Sequence, residues 1–163
     1  MENQELTRQL QKLRSLIRKI AEASVQDFEL QAHWGRYLCV LVAGFLENAI
    51  AEIYTDFVNS AASEPVASFA SLTLGRIQNP NSQRFVDTAR SFKQSWAEDL
   101  EKFLMEQGRK EAIDSIIANR HAIAHGRDSG ITVVRVIQFL DRCVEVMEFI
   151  EDQCKGRDRG ATP

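Results

Sequence analysis

The sequence predicts an all-α fold with four principal helices and one to three short ones. Three observations carry this. Apolar residues recur at steps of three and four along most of the chain, the period of one helical face. No stretch alternates convincingly with period two, although "ITVV" taken alone reads as a short strand. The 163 residues include only 3 Pro and 8 Gly, few interruptions for long helices. With 44% hydrophobic residues, a chain of this length is expected to form one domain, 1–155, burying roughly two thirds of its unfolded surface.

The first helix is expected over 1–24, where Leu6, Leu10, Leu13, Ile17 and Ile20 follow at steps of four, three, four and three. Such a stripe lies on a core in the plainer reading. In the alternative it is a coiled-coil-like seam for a partner chain. A longer helix is expected over 27–60, with Leu38, Leu41, Phe45, Ala49, Ile53 and Phe57 in one stripe that Val42 and Leu46 widen. Its middle, "YLCVLVAGFL", is apolar nearly all round, which suits a central helix contacted on several sides.

"NSAASEPVAS" then supplies small residues and Pro65, marking one helix end and a new start. Within 67–81 a short helix is expected through "SFASLTLGRI", stopping at "QNPNSQ", where Pro80 restricts Asn79 and Ser82 is a good N-cap. Helices over "SQRFVDTARSF" and "WAEDLEKFLMEQ" follow, with a break near Lys93. Gly108 separates these from a helix over 109–126, where Ile113, Ile116, Ile117, Ile123 and Ala124 keep helical spacing up to Gly126, a natural C′ residue. The last helix, 132–154, places Val133, Val136, Ile137, Leu140, Val144, Met147 and Ile150 on one face, with Thr132 to cap it. The polar tail, 156–163, is expected to be disordered.

A net charge of −3 generates no global positive field, so any nucleic-acid site must be a local patch. Cys39, Cys143 and Cys154 lack C-x-x-C pairing and read as buried or spectator thiols of a reducing compartment. The start "MENQELTRQL" lacks the cationic and apolar runs of a signal peptide, and no segment approaches eighteen apolar residues. A cytoplasmic protein with no membrane association is expected.

The chemistry concentrates in "IIANRHAIAHG", Ile116 to Gly126. His121 and His125 lie four apart on one helical face, with Asp114 on roughly the same face. A metal reading is geometrically available but thin: no Glu stands between the histidines, and no cysteine cluster offers further ligands. No metal and no cofactor are assigned. The other constellation is Arg120 and His125. An arginine keeps its charge and can fork two donors onto a phosphate, and a histidine titrates near neutrality and can carry a proton. Together they suffice for metal-free RNA cleavage, one steadying charge on the phosphate, the other handling the 2′-hydroxyl or the leaving 5′-oxygen. Residues five apart diverge by about 140° on an ideal helix, so both address one phosphate only where the helix ends or bends, as Gly126 makes it do here. The bland alternative is a polar helix C-terminus favoured by the helix dipole.

"NRHAIAHG" resembles the arginine-to-histidine motif of HEPN domains, nucleotide-binding and ribonuclease domains of prokaryotes and higher eukaryotes. "LVAGFLENAIAEI" is similar to the central helix of the RiboL-PSP-HEPN subgroup, with its acidic Glu47, and "GRIQNPNSQRF" to that subgroup's Asn-Pro-Asn turn. The resemblance runs from about Ala32 to Cys154, with the three anchors in the expected order. It implies a HEPN-like bundle and a metal-independent endoribonuclease of the kind found in toxin–antitoxin and antiviral-defence systems. It also implies that Arg120 and His125 are the catalytic pair and that His121 is the polar neighbour orienting it. Asn119 and Glu47 are supporting candidates that hold either the site or only the structure. RNA contacts fall to Arg76, Arg84 and Arg127, with Arg90 and Lys93 as further cations. A homodimer is implied, and with it a composite site in which a second His125 supplies the separate acid or base. Two other partner readings stand beside it. One is a non-catalytic helical module that binds RNA, a nucleotide or a protein through the Leu6 to Ile20 seam and the Arg120 patch. The other is an antitoxin or regulatory subunit pairing with an active relative.

Overall fold

The computed structural model describes residues 1–23 and 28–156, which form seven α-helices with no strand among them. In chain order these are α1 (Gln4–Ala23), α2 (Phe28–Ala61), α3 (Glu64–Leu74), α4 (Ser82–Phe92), α5 (Gln94–Leu104), α6 (Arg109–Ala124) and α7 (Val133–Cys154). The all-α class and its four principal helices, α1, α2, α6 and α7, are as expected. The junction at 24–27 and the tail at 157–163, expected to be disordered, lie outside the described residues.

The apolar all-round middle of α2 has the environment its composition demands. Leu38, Val42, Leu46, Ala49, Ile50 and Tyr54 are sealed from solvent, with α6 and α7 packed on α2 and on each other. By length and mean hydropathy, Glu29–Ala61 would pass as a membrane span although it holds no apolar run of that length, and more than half of its apolar window is buried in this core. α1 closes another side, its Leu6, Leu10, Leu13, Ile17 and Ile20 all buried. At about 2 kcal/mol per buried Leu or Ile, that stripe contributes on the order of 10 kcal/mol before entropy, comparable with the stability of a whole domain. The seam therefore belongs to the chain's own core, and the alternative reading, a surface for a partner chain, is corrected. The start of α1 is held as well. Asn3 Oδ1 accepts the Leu6 N–H, and the Glu151 carboxylate of α7 accepts the backbone N–H groups of Glu2 and Asn3.

Several local expectations change. α3 starts at Glu64 rather than near Ala67, because Pro65 sits in its first turn, where a missing N–H costs nothing. Asn81, not Ser82, caps α4, accepting the Arg84 N–H; Ser82 is the first helical residue and gives both its donors to Asp114 of α6. α5 runs from Gln94 to Leu104: it starts two residues early, directly after the extended Lys93, and ends three early, ahead of Gln107 and Gly108, whose positive φ (53° and 72°) does not continue a helix. "ITVV" is no strand: Thr132 accepts the Arg135 N–H and Val133 opens α7. Aromatic packing joins α2 to the α4–α5 pair, with Tyr54 stacked on Phe92 at 4.7 Å and Phe57 edge-on to Phe92 and Trp96.

Candidate active site

α6 is fastened at four levels, which fixes the faces it leaves outward. At its first residue, buried Arg109 lies 3.8 Å above the Phe103 ring and donates to Glu145, Gln107 and the Phe103 carbonyl. One turn on, Asp114 accepts from the Ser82 backbone, the Ser82 hydroxyl and Lys110. Burial pushes the Asp114 carboxyl up, but those donors outweigh it and hold the pKa below its ordinary value. In the middle, the Cys39 thiol of α2 donates to the Ile116 carbonyl at 3.5 Å. Burial raises that thiol to about 12, partly opposed by the Arg120 backbone N–H, so it is an inert packing group. The fourth fastening is Asn119, whose amide donates to the Ser115 carbonyl and whose Oδ1 accepts the hydroxyl of buried Ser129, both at 2.8 Å.

The helix ends where the Arg120–His125 spacing requires. His125 is the C-cap (φ −97°, ψ 15°) and Gly126 follows at φ 65°. The Gly126 N–H bonds the Ile123 carbonyl at 3.1 Å and the Arg127 N–H reaches back to the Ala122 carbonyl at 2.9 Å. This pair of bonds is a Schellman closure, and its left-handed C′ position favours glycine. The following loop is clamped to α2. Arg36 pairs with Asp128 at 2.7 Å and reaches the Ser129 carbonyl, while Gly35 lets the Ile131 carbonyl approach so closely that an added Cβ would lie 2.4 Å from its oxygen.

These fastenings leave Arg120, His121 and His125 outward at the last turns of α6. Arg120 is half-buried, and its guanidinium has no hydrogen bond or ion pair among the described residues. His121 and His125 are exposed, with ring centroids 4.3 Å apart and planes tilted by 59°. Among the described residues, no three His, Cys, Asp or Glu side chains gather, and Asp114, the third member of the metal reading, is turned to Ser82 and Lys110.

Of the other candidates, Arg127 follows His125 directly after the closing glycine, and the rest are on other elements. Glu47 accepts the backbone N–H of Asn79, which stands at φ 47°, so its hydrogen bond serves the Asn-Pro-Asn turn. Arg76, Arg84 and Arg127 are exposed, as is Lys93. Arg84 lines a groove of about 450 Å³ between α3 and α4 with Phe69, Ile77 and Phe92. Arg90 is corrected as an available cation: Asp87 and Glu101 hold its two guanidinium nitrogens. Sequence reasoning missed Ser129, Arg36 and Gly35, which hold the segment behind His125. Their partners lie some 90 residues away or in a loop without periodicity; Gly35, an isolated glycine inside a strong helical pattern, was the one available signal.

The RiboL-PSP-HEPN family model matches residues 4–156, nearly all of the chain. No curated protein and no solved structure matches it.

Proposed function

The chain belongs to the RiboL-PSP-HEPN family, and from that premise we propose that it is a metal-independent endoribonuclease. Arg120 forks onto the scissile phosphate and steadies its developing charge, and His125 transfers a proton to or from the reacting oxygens. One observation carries this reading: a half-buried arginine with no hydrogen bond or ion pair among the described residues precedes, by little more than one turn, a histidine at a glycine-closed helix end. A guanidinium unpaired among the described residues, where Arg36, Arg90 and Arg109 all pair, is available for an anion.

The product of 2′-hydroxyl attack is a 2′,3′-cyclic phosphate and a free 5′-hydroxyl. We further propose a homodimer whose two-fold axis sets a second Arg120 and His125 opposite the first and doubles the local positive field, which a chain of net charge −3 otherwise lacks. A toxin or antiviral-defence effector working in the cytoplasm, restrained by an antitoxin or regulatory protein, is the role such an activity suits.

The direct test is incubation of mixed RNA with purified protein in EDTA, for the wild type, Arg120→Ala and His125→Ala. The wild type should cut and both variants should lose about 100-fold or more; equal cleavage by all three rejects the assignment. A second reading, a binding module without catalysis, is favoured by one feature: Val66, Phe69 and Leu72 form an exposed apolar stripe on α3, with Phe69 73% exposed. Capture of a partner protein lost on Phe69→Ser, with no RNA cleavage by the wild type, would support it.

A further inference from the structure

Cleavage by 2′-hydroxyl attack needs two proton transfers, and one His125 supplies one carrier. We infer that His121 is the second, working with His125 of the same chain; this rests on the ribonuclease reading above. The two imidazoles come from successive turns of one α6 face, both exposed, with centroids 4.3 Å apart. Neither ring has a hydrogen bond or ion pair to another group among the described residues. A residue whose task is to orient a neighbour makes a bond to it or to its support. Asn119 does this, joining Ser115 to Ser129 behind the motif, whereas His121 is left uncommitted beside His125.

The charged surroundings suit the role. Arg120 precedes His121 and Arg127 follows His125. The nearby carboxylates are engaged elsewhere, Asp114 by Ser82 and Lys110, and Asp128 by Arg36.

The step balances within this pair. One neutral imidazole takes the proton of the 2′-hydroxyl as its oxygen forms the bond to phosphorus. The other, protonated, gives its proton to the 5′-oxygen as the P–O5′ bond breaks. One proton has then moved from the second ring to the first, and the closeness of the rings allows it to return directly or through one water. Each chain thus holds an acid and a base of its own, to which the second Arg120 and His125 of the proposed dimer add.

The test uses a labelled RNA that the full-length wild type cuts, with kcat and KM measured for His121→Gln and His121→Ala. Gln roughly keeps the size and hydrogen bonding of the side chain but neither gains nor loses a proton near neutral pH. Its kcat should fall about 100-fold or more with KM little changed, and added imidazole should restore part of the His121→Ala rate. Thermal unfolding should be unaltered, since His121 is exposed. His121→Gln within a few-fold of wild type overturns the inference, and so does a slow His121→Ala that imidazole leaves slow, which assigns a positioning role. Cleavage that requires Arg120 and His125 but survives His121→Gln sinks this inference alone, whereas absence of wild-type cleavage sinks the ribonuclease reading with it.

Discussion

Two glycines nine residues apart in α2 should respond to alanine with opposite signs. At Gly35 an added Cβ would stand 2.4 Å from the Ile131 carbonyl oxygen and 3.2 Å from the Thr132 carbonyl carbon. Ordinary contact begins near 3.4 Å, so the loop must retreat by about 1 Å. That loop is tied by Asn119 to Ser129 and by Arg36 to Asp128, and the obstacle is backbone, not a flexible side-chain end. Overpacking of this kind costs about 1–3 kcal/mol, against a helix-propensity gain from Gly to Ala of about 1 kcal/mol. With an obstacle that cannot swing aside the clash wins, with a net loss of up to about 2 kcal/mol, which corresponds to at most roughly 4–8 °C in Tm. At Gly44 nothing lies within 4 Å of the added Cβ, and only the propensity gain remains, up to about 1 kcal/mol of stabilisation. Calorimetric unfolding of both variants beside the wild type reads the difference. If Gly35→Ala unfolds at or above the Gly44→Ala midpoint, the account of a loop clamped against α2 is wrong.

Gly126→Ala places a Cβ at φ 65° and should cost about 1 kcal/mol by urea titration, with slower RNA cleavage because the Schellman closure sets His125; unchanged stability would show that the helix end does not depend on this turn. Glu47→Gln retains an acceptor for the Asn79 N–H and should keep stability and cleavage, whereas Glu47→Ala should lower the unfolding midpoint; loss of cleavage in a stable Gln variant would return Glu47 to the site. Asp114 and Glu151 both titrate below their ordinary values of 3.8 and 4.5, because bound N–H donors and a lysine outweigh burial. Stability from groups with depressed folded-state pKa is complete above those ordinary values and is lost as pH falls through the folded ones, so urea midpoints should fall in acid below about pH 4.5. For Asp114→Asn the acid loss should be smaller, and an unchanged acid profile would contradict the linkage.

What the sequence showed and what it hid divide along a physical line. Helices with a one-sided stripe were legible, because α1 and α7 carry their period within a few turns. So was the end of α6, since Gly126 announces a left-handed turn locally. Contacts with large sequence separation were not. Asp114 shares a helical face with His121 and so invited a ligand role, but its carboxylate meets Ser82, 32 residues away, which moved the α4 cap to Asn81. Arg90 read as a free cation until Asp87 and Glu101 closed on it. The two histidines were legible as neighbours on one face, and their ring separation of 4.3 Å follows from that i, i+4 spacing, since the His125 N–H still bonds the His121 carbonyl.

The central claim is metal-free attack by the 2′-hydroxyl at a phosphate held by Arg120. It is tested most directly by offering the wild type, in EDTA, an RNA it cuts at a known bond and the same RNA carrying a single 2′-deoxy residue 5′ to that bond. The account predicts cleavage of the first to a 2′,3′-cyclic phosphate and an intact bond in the second; equal cleavage of both, with a 3′-hydroxyl end, would contradict it.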